Sequence, residues 1–120
     1  MKKLLLLLLF IPGMVMADSC NGVVTEASTY NGHQWIYIPD FPKVEVVITE
    51  GFLFIGNDAF SYELVRTTYN SKGQEELHLK GKNPSGTVNI KIVNNGKNNI
   101  LIYFYYKDGT ANCFNIRYLC

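Results

Sequence analysis

From Val44 to Leu119 the apolar residues alternate with polar ones instead of recurring every three or four positions, and Gly or Asn interrupts the alternation at short intervals. Period-two alternation bounded by turn formers is the pattern of half-buried strands. It predicts strands near His33–Ile38, Val44–Thr49, Phe52–Ile55, Phe60–Tyr69, Glu75–Gly81, Thr87–Val93, Asn98–Tyr106 and Asn112–Leu119. The stretch Asn21–Tyr30 has no clean period and reads either as a short strand or as irregular chain. No amphipathic helix is expected after the N-terminal segment.

Register sharpens this expectation, because a slip of one residue sends every side chain to the opposite face. A three-residue loop Lys107-Asp108-Gly109, with Gly109 in the left-handed bulge position, sets Ile102 opposite Phe114 and Ile100 opposite Ile116. By the same test Asn94-Asn95-Gly96 pairs Ile90 with Ile100, and Thr49-Glu50-Gly51 pairs Ile48 with Phe52 and Val46 with Phe54. The loop Asn70-Ser71-Lys72-Gly73 aligns Leu64 with Leu79, and Lys82-Asn83-Pro84-Ser85 sets Leu79 against Val88. The five hairpins then share one apolar face. Without helices, such a face is buried by curling the sheet. The expected fold is all-β, an antiparallel up-and-down meander of about eight strands forming a small barrel or a barrel-like sandwich.

Ahead of this domain stands Met1-Lys2-Lys3, then Leu4 to Ile11, then the breaker Pro12-Gly13. Cationic start, apolar run and the small residues of Val15-Met16-Ala17 make Met1–Ala17 a signal peptide, with cleavage between Ala17 and Asp18. The apolar run is well short of the ~20 residues that span a bilayer. Cys20 follows Ala17-Asp18-Ser19, a poor lipobox, which argues against a lipid anchor there. The organisation expected is a signal helix over 1–17 and a single domain over 18–120, secreted or periplasmic. The sequence lacks an Asn-x-Ser/Thr acceptor, since Asn83-Pro84-Ser85 is blocked by proline, which is consistent with a bacterial source.

Loss of Lys2 and Lys3 takes the formal charge from +1 to −1, which does not suit a nucleic-acid binder. Acidic residues (Asp40, Glu45, Glu50, Glu63) dominate up to Val65, and basic ones (Arg66, Lys80, Lys91, Arg117) dominate after it. Either the two sets mix around one surface, or the acidic set forms a face for a basic partner. In an oxidising compartment three cysteines leave one over. Cys113 and Cys120, seven apart on an extended segment, are more than ~20 Å apart and cannot pair with each other. That makes Cys20 the hub, bonded to Cys120, which would tether both chain ends, or alternatively to Cys113.

Catalytic chemistry finds little support. His33 and His78 are far apart and belong to no metal-ligand spacing. Glu75-Glu76 point to opposite sides of a strand, and there is no Gly-x-Ser-x-Gly elbow. The glycines are turn glycines, and none leads into a helix as a phosphate loop requires. No catalytic residue, metal site or cofactor is expected.

Two aromatic groups remain. In Ile100–Tyr106 the positions facing away from the apolar interior carry Leu101, Tyr103 and Tyr105, and the partner strand adds Arg117. Together these four form a candidate protein-contact patch, unless Asn21–Tyr30 packs across it. The second group is Trp35 and Tyr37, in Gly32-His33-Gln34-Trp35-Ile36-Tyr37. A Gly followed by a Trp on an early strand, ahead of an antiparallel meander, loosely resembles the lipocalins. The resemblance implies a Trp35 that closes the barrel floor and a small apolar ligand in the interior, where the alternation places Phe54, Tyr62 and Phe104 beside Trp35.

The functions that fit are an exported non-enzymatic binding module acting by protein contact, for example an inhibitor of an extracytoplasmic hydrolase such as a lysozyme; a lipocalin-like carrier of a small hydrophobic ligand; or a structural or accessory subunit of an envelope complex.

Overall fold

A computed structural model describes residues 19–118 apart from Lys97, with side chains from Asn21 onward. The expected signal peptide, its cut at Ala17–Asp18, and the Cys20–Cys120 bond lie outside the described residues. Nine strands follow one another: β1 Ser19–Tyr30, β2 Trp35–Ile38, β3 Glu45–Thr49, β4 Phe52–Ile55, β5 Asp58–Tyr69, β6 Glu75–Asn83, β7 Gly86–Asn94, β8 Asn99–Tyr105 and β9 Ala111–Tyr118. From β3 to β9 each strand pairs antiparallel with the next. β1 pairs with β9 along one edge and divides its other edge, giving Ser19–Val23 to β3 and Ala27–Tyr30 to β2. Eight strands therefore close into a barrel, and β2 is an extra strand laid against β1.

The segment that looked irregular closes the ring. Its inward residues are Gly22, Val24 and Ala27, and a bulge between Val24 and Glu26 inserts Thr25 into the spacing. Thr25 donates its hydroxyl to the Asn115 carbonyl, 3.1 Å away. A bulge adds one residue to one strand of a pair and so breaks the two-residue period, which hides a strand from a reading of periodicity.

The last hairpin forms as its sequence requires. Tyr106 N–H donates to the Thr110 carbonyl, Gly109 N–H donates to Tyr106, Gly109 has φ 90°, and Ile102 and Ile100 face Phe114 and Ile116. Two other hairpins have loops that differ from expectation by an even shift. Leu79 pairs with Ile90 around Pro84-Ser85, and Ile90 pairs with Phe104 because the turn before β8 lies further along, with Asn98 in the left-handed region at φ 52°. The inward set is unchanged by such shifts. Leu64 does meet Leu79, but the β5–β6 loop is the three residues Ser71-Lys72-Gly73, closed by the Asn70 N–H on the Gln74 carbonyl and one residue shorter than expected, and a bulge between Leu64 and Arg66 absorbs the difference.

One hairpin slips by an odd residue. Glu50-Gly51 makes a two-residue turn, with Gly51 at φ 88°, so Ile48 pairs with Leu53 and Val46 with Ile55. Leu53 is wholly buried, while Phe52 and Phe54 are 51% and 39% exposed. Phe54 therefore does not line the interior. Both faces of Phe52-Leu53-Phe54-Ile55 are apolar, so hydrophobicity does not choose between the registers and turn geometry does.

Inside the barrel Phe60 meets Phe104 at 5.3 Å between ring centroids, Phe104 meets Phe114 at 5.9 Å, and Phe41 from the β2–β3 connection meets Phe114 at 5.6 Å. Tyr62 packs against this core and donates its hydroxyl to the Thr49 carbonyl at 2.7 Å. Its burial raises the phenol pKa. Space is tight: a Cβ at Gly81 would lie 2.6 Å from Cδ1 of Ile90. Trp35 takes no part in this interior. It is 46% exposed, because β2 lies outside the closed ring and Trp35 pairs with Tyr30 on the outer face.

Candidate contact face

Register carries the outer residues into rows across five strands. One row runs Asn89, Tyr105, Ala111, Tyr30, Trp35, and the next runs Lys91, Tyr103, Cys113, Ser28, Tyr37. On the central strands these rows carry Ala111 and Cys113 on β9 and Ser28 on β1, all small, with Tyr30 as the one large side chain. The rings from either side lean over them, leaving Ala111 only 2% exposed. Trp35 meets Tyr30 at 5.4 Å and Tyr103 at 6.0 Å, the latter edge to face at 77°. Tyr103 and Tyr105 stack at 5.9 Å and 6°. Lys91 Nζ sits 4.8 Å from the Tyr103 ring centre and 5.8 Å from that of Tyr105, within cation–π range.

Electrostatics follow from this packing. Burial, with Cys113 adding to it, pushes the Tyr103 phenol up to about 12. Burial also raises the Cys113 thiol, opposed by the hydroxyl that Tyr103 donates to it and by Lys91. Cys113 is a free cysteine. The alternative Cys20–Cys113 bond is overturned by register: Cys20 lies opposite Ile48, whereas Cys113 lies opposite Ser28, eight residues further along β1. At ~3.3 Å per residue the two are more than ~20 Å apart, against the ~7 Å a disulfide allows.

Of the patch expected from sequence, Tyr103 and Tyr105 join the cluster. Leu101 lies one row below, between Val93 and Asn115, and Arg117 lies a further row below, opposite Asn99 and Val23. The cation at the rings is Lys91, which the sequence reading missed along with Tyr30. Both depend on cross-strand register, and Tyr30 depends on the closing strand as well. Asn21–Tyr30 does not cover the face, since it pairs edge to edge with β9.

Elsewhere, Phe52 and Phe54 stack outside the barrel at 6.3 Å. A shallow groove of about 350 Å³ is lined by Ser61, Glu63, Lys80, Lys82 and Thr87 with Tyr62. Glu63 lies opposite Lys80, so acidic early and basic late strands mix their charges here. His78 Nε2 is 2.8 Å from Thr68 Oγ1 and 3.9 Å from a Glu76 oxygen. Burial lowers its pKa, with Arg66 and Lys91 acting the same way and Glu76 opposing. Among the described residues no three His, Cys, Asp or Glu side chains gather as a metal site. No helix among them is long and apolar enough to cross a membrane. The outer face carries Glu63, Lys80, Lys82 and Lys91 together with the exposed Phe52 and Phe54.

No protein-family model matches the chain, and neither a curated protein nor a solved structure matches it.

Proposed function

We propose that the chain is an exported, non-enzymatic binding module that acts by protein contact through the face built on Trp35, Tyr103 and Tyr105. The observation that carries this reading is the half-exposed Trp35 set edge-on against Tyr103, with Lys91 over the adjoining rings. Tryptophan and tyrosine held rigid at a surface are the side chains that dominate binding energy at protein interfaces. The carrier reading is the weaker one, because the Phe60–Phe104–Phe114 stack and the Gly81–Ile90 contact occupy the space a ligand would need. The lysozyme-inhibitor version rests on an acidic face. Its support is thinner with Glu63 set against Lys80, and Lys91 at the rings suits a partner whose rim bears carboxylates.

The test is capture from a bacterial envelope fraction by wild type, Trp35→Ala and Tyr105→Ser in parallel. Proteins retained by wild type and lost from both variants, at unchanged far-UV circular dichroism, are the expected result. Equal retention by all three removes the face from the function.

A further inference from the structure

Among the described residues two strands keep an open edge of four residues or more. β5 pairs with β4 only as far as Ser61, so from Glu63 to Tyr69 it has β6 on one side alone. β2 has β1 on one side and no strand on the other among the described residues. The two edges differ in kind. That of β5 carries Glu63 and Arg66 and is kinked by the bulge between Leu64 and Arg66, features that keep a foreign strand from docking. That of β2 is Trp35-Ile36-Tyr37-Ile38, in unbroken register with β1, without charge, proline or bulge, and with its first three side chains exposed. Alternate residues of an antiparallel strand direct their N–H and C=O groups to opposite neighbours. Half of β2 therefore presents backbone donors and acceptors to the open side, between aromatic and β-branched side chains.

We propose that β2 pairs antiparallel with β2 of a second copy of this chain, across a two-fold axis. The occupant follows from the edge itself. A row of backbone donors and acceptors is satisfied by another extended strand, and β2 carries no charge that would select a foreign one. The same four residues in a second copy supply the complementary row by symmetry. Trp35 and Tyr37 then meet their counterparts on the outer side, and Ile36 meets its own on the other. The two sheets join edge to edge, so the Trp35–Tyr103–Tyr105 face of one copy runs on into that of the other. Dimerisation and the contact function are separate claims, since neither requires the other.

Size sets the strength. The exposed parts of Trp35, Ile36 and Tyr37 amount to roughly 300 Å² per copy, well under the ~800 Å² per partner of a standard interface. The dimer is accordingly a weak one.

Sedimentation velocity tests this on protein purified after expression from the full-length gene, over about 10 μM to about 1 mM. Wild type is expected to move from monomer toward dimer across that range, and Tyr37→Lys and Ile36→Lys to remain monomeric with unchanged circular dichroism and urea midpoint. Concentration-dependent amide shifts in wild type should centre on Trp35–Ile38. A wild type that stays monomeric throughout, including one whose β2 amides shift only when another protein is added, overturns the proposal. A dimer that both lysine variants retain, or whose shifts centre on Phe52 and Phe54, overturns it equally.

Discussion

Trp35 and Tyr103 meet edge to face with ring centroids 6.0 Å apart, although β1 and β9 lie between their strands in the sheet. They can do so because the residues beneath them, Ala111, Cys113 and Ser28, are too small to hold the rings apart. Joining β2 to β8 in this way makes one surface out of two aromatic groups that lie far apart in the sequence.

Trp35 is the single tryptophan of the chain, so its environment can be read from intrinsic fluorescence. At 46% exposure its emission should be red-shifted and open to acrylamide quenching in the folded protein. Trp35→Ala removes ring contacts with both Tyr30 and Tyr103, each worth about 0.5–1.5 kcal/mol, and should leave the barrel folded. Blue-shifted, unquenched emission would contradict the outward placement.

The crowding of Gly81 against Ile90 offers a test of the filled interior. Ile90 is 2% exposed, so its Cδ1 has little room to move away from an added methyl group. Gly81→Ala should destabilise by about 1–2 kcal/mol in urea denaturation. Ile90→Val removes that carbon, so the double variant should recover most of what Gly81→Ala loses beyond the cost of Ile90→Val alone. Strict additivity of the two changes would mean that they do not touch.

Alkaline stability should report on Tyr103. Its folded pKa of about 12 lies above the ordinary value of 10.0, so the folded state favours the protonated phenol. That contribution is fully present below pH 10 and is lost as pH rises toward 12. Tyr62, Tyr106 and Tyr118 are shifted in the same direction by burial. Urea midpoints measured from pH 9 upward should fall through this window, and less steeply in Tyr103→Phe. An identical slope in the variant would show that the Tyr103 phenol titrates as in water.

Thiol chemistry should separate the cysteines. With its pKa raised by burial, Cys113 holds less thiolate at neutral pH than a free cysteine, so it should label slowly in the native protein and rapidly in denaturant. Gly22 lies opposite Tyr118, so β1 and β9 run side by side two residues from Cys20 and two from Cys120. Non-reducing peptide mapping is expected to recover Cys20 bonded to Cys120, a closure that would stabilise the fold by ~2–4 kcal/mol. Recovery of Cys20 bonded to Cys113 would contradict the register along β1.

The sequence alone determined the strand-rich class, the inward identity of Ile90, Ile100, Ile102, Phe104 and Ile116, and the turn at Lys107-Asp108-Gly109. Alternation and turn chemistry are local, and an even shift in a loop leaves the buried set as it was. Tertiary structure decided the rest. β1 became visible as the closing strand only once paired, because Thr25 breaks its period. β4 has two apolar faces, so its register fell to the Glu50-Gly51 turn, which turned Phe54 outward. The meeting of Trp35, Tyr103 and Lys91 depends on closure of the ring and on the small residues of two intervening strands, relations between positions that no periodicity encodes.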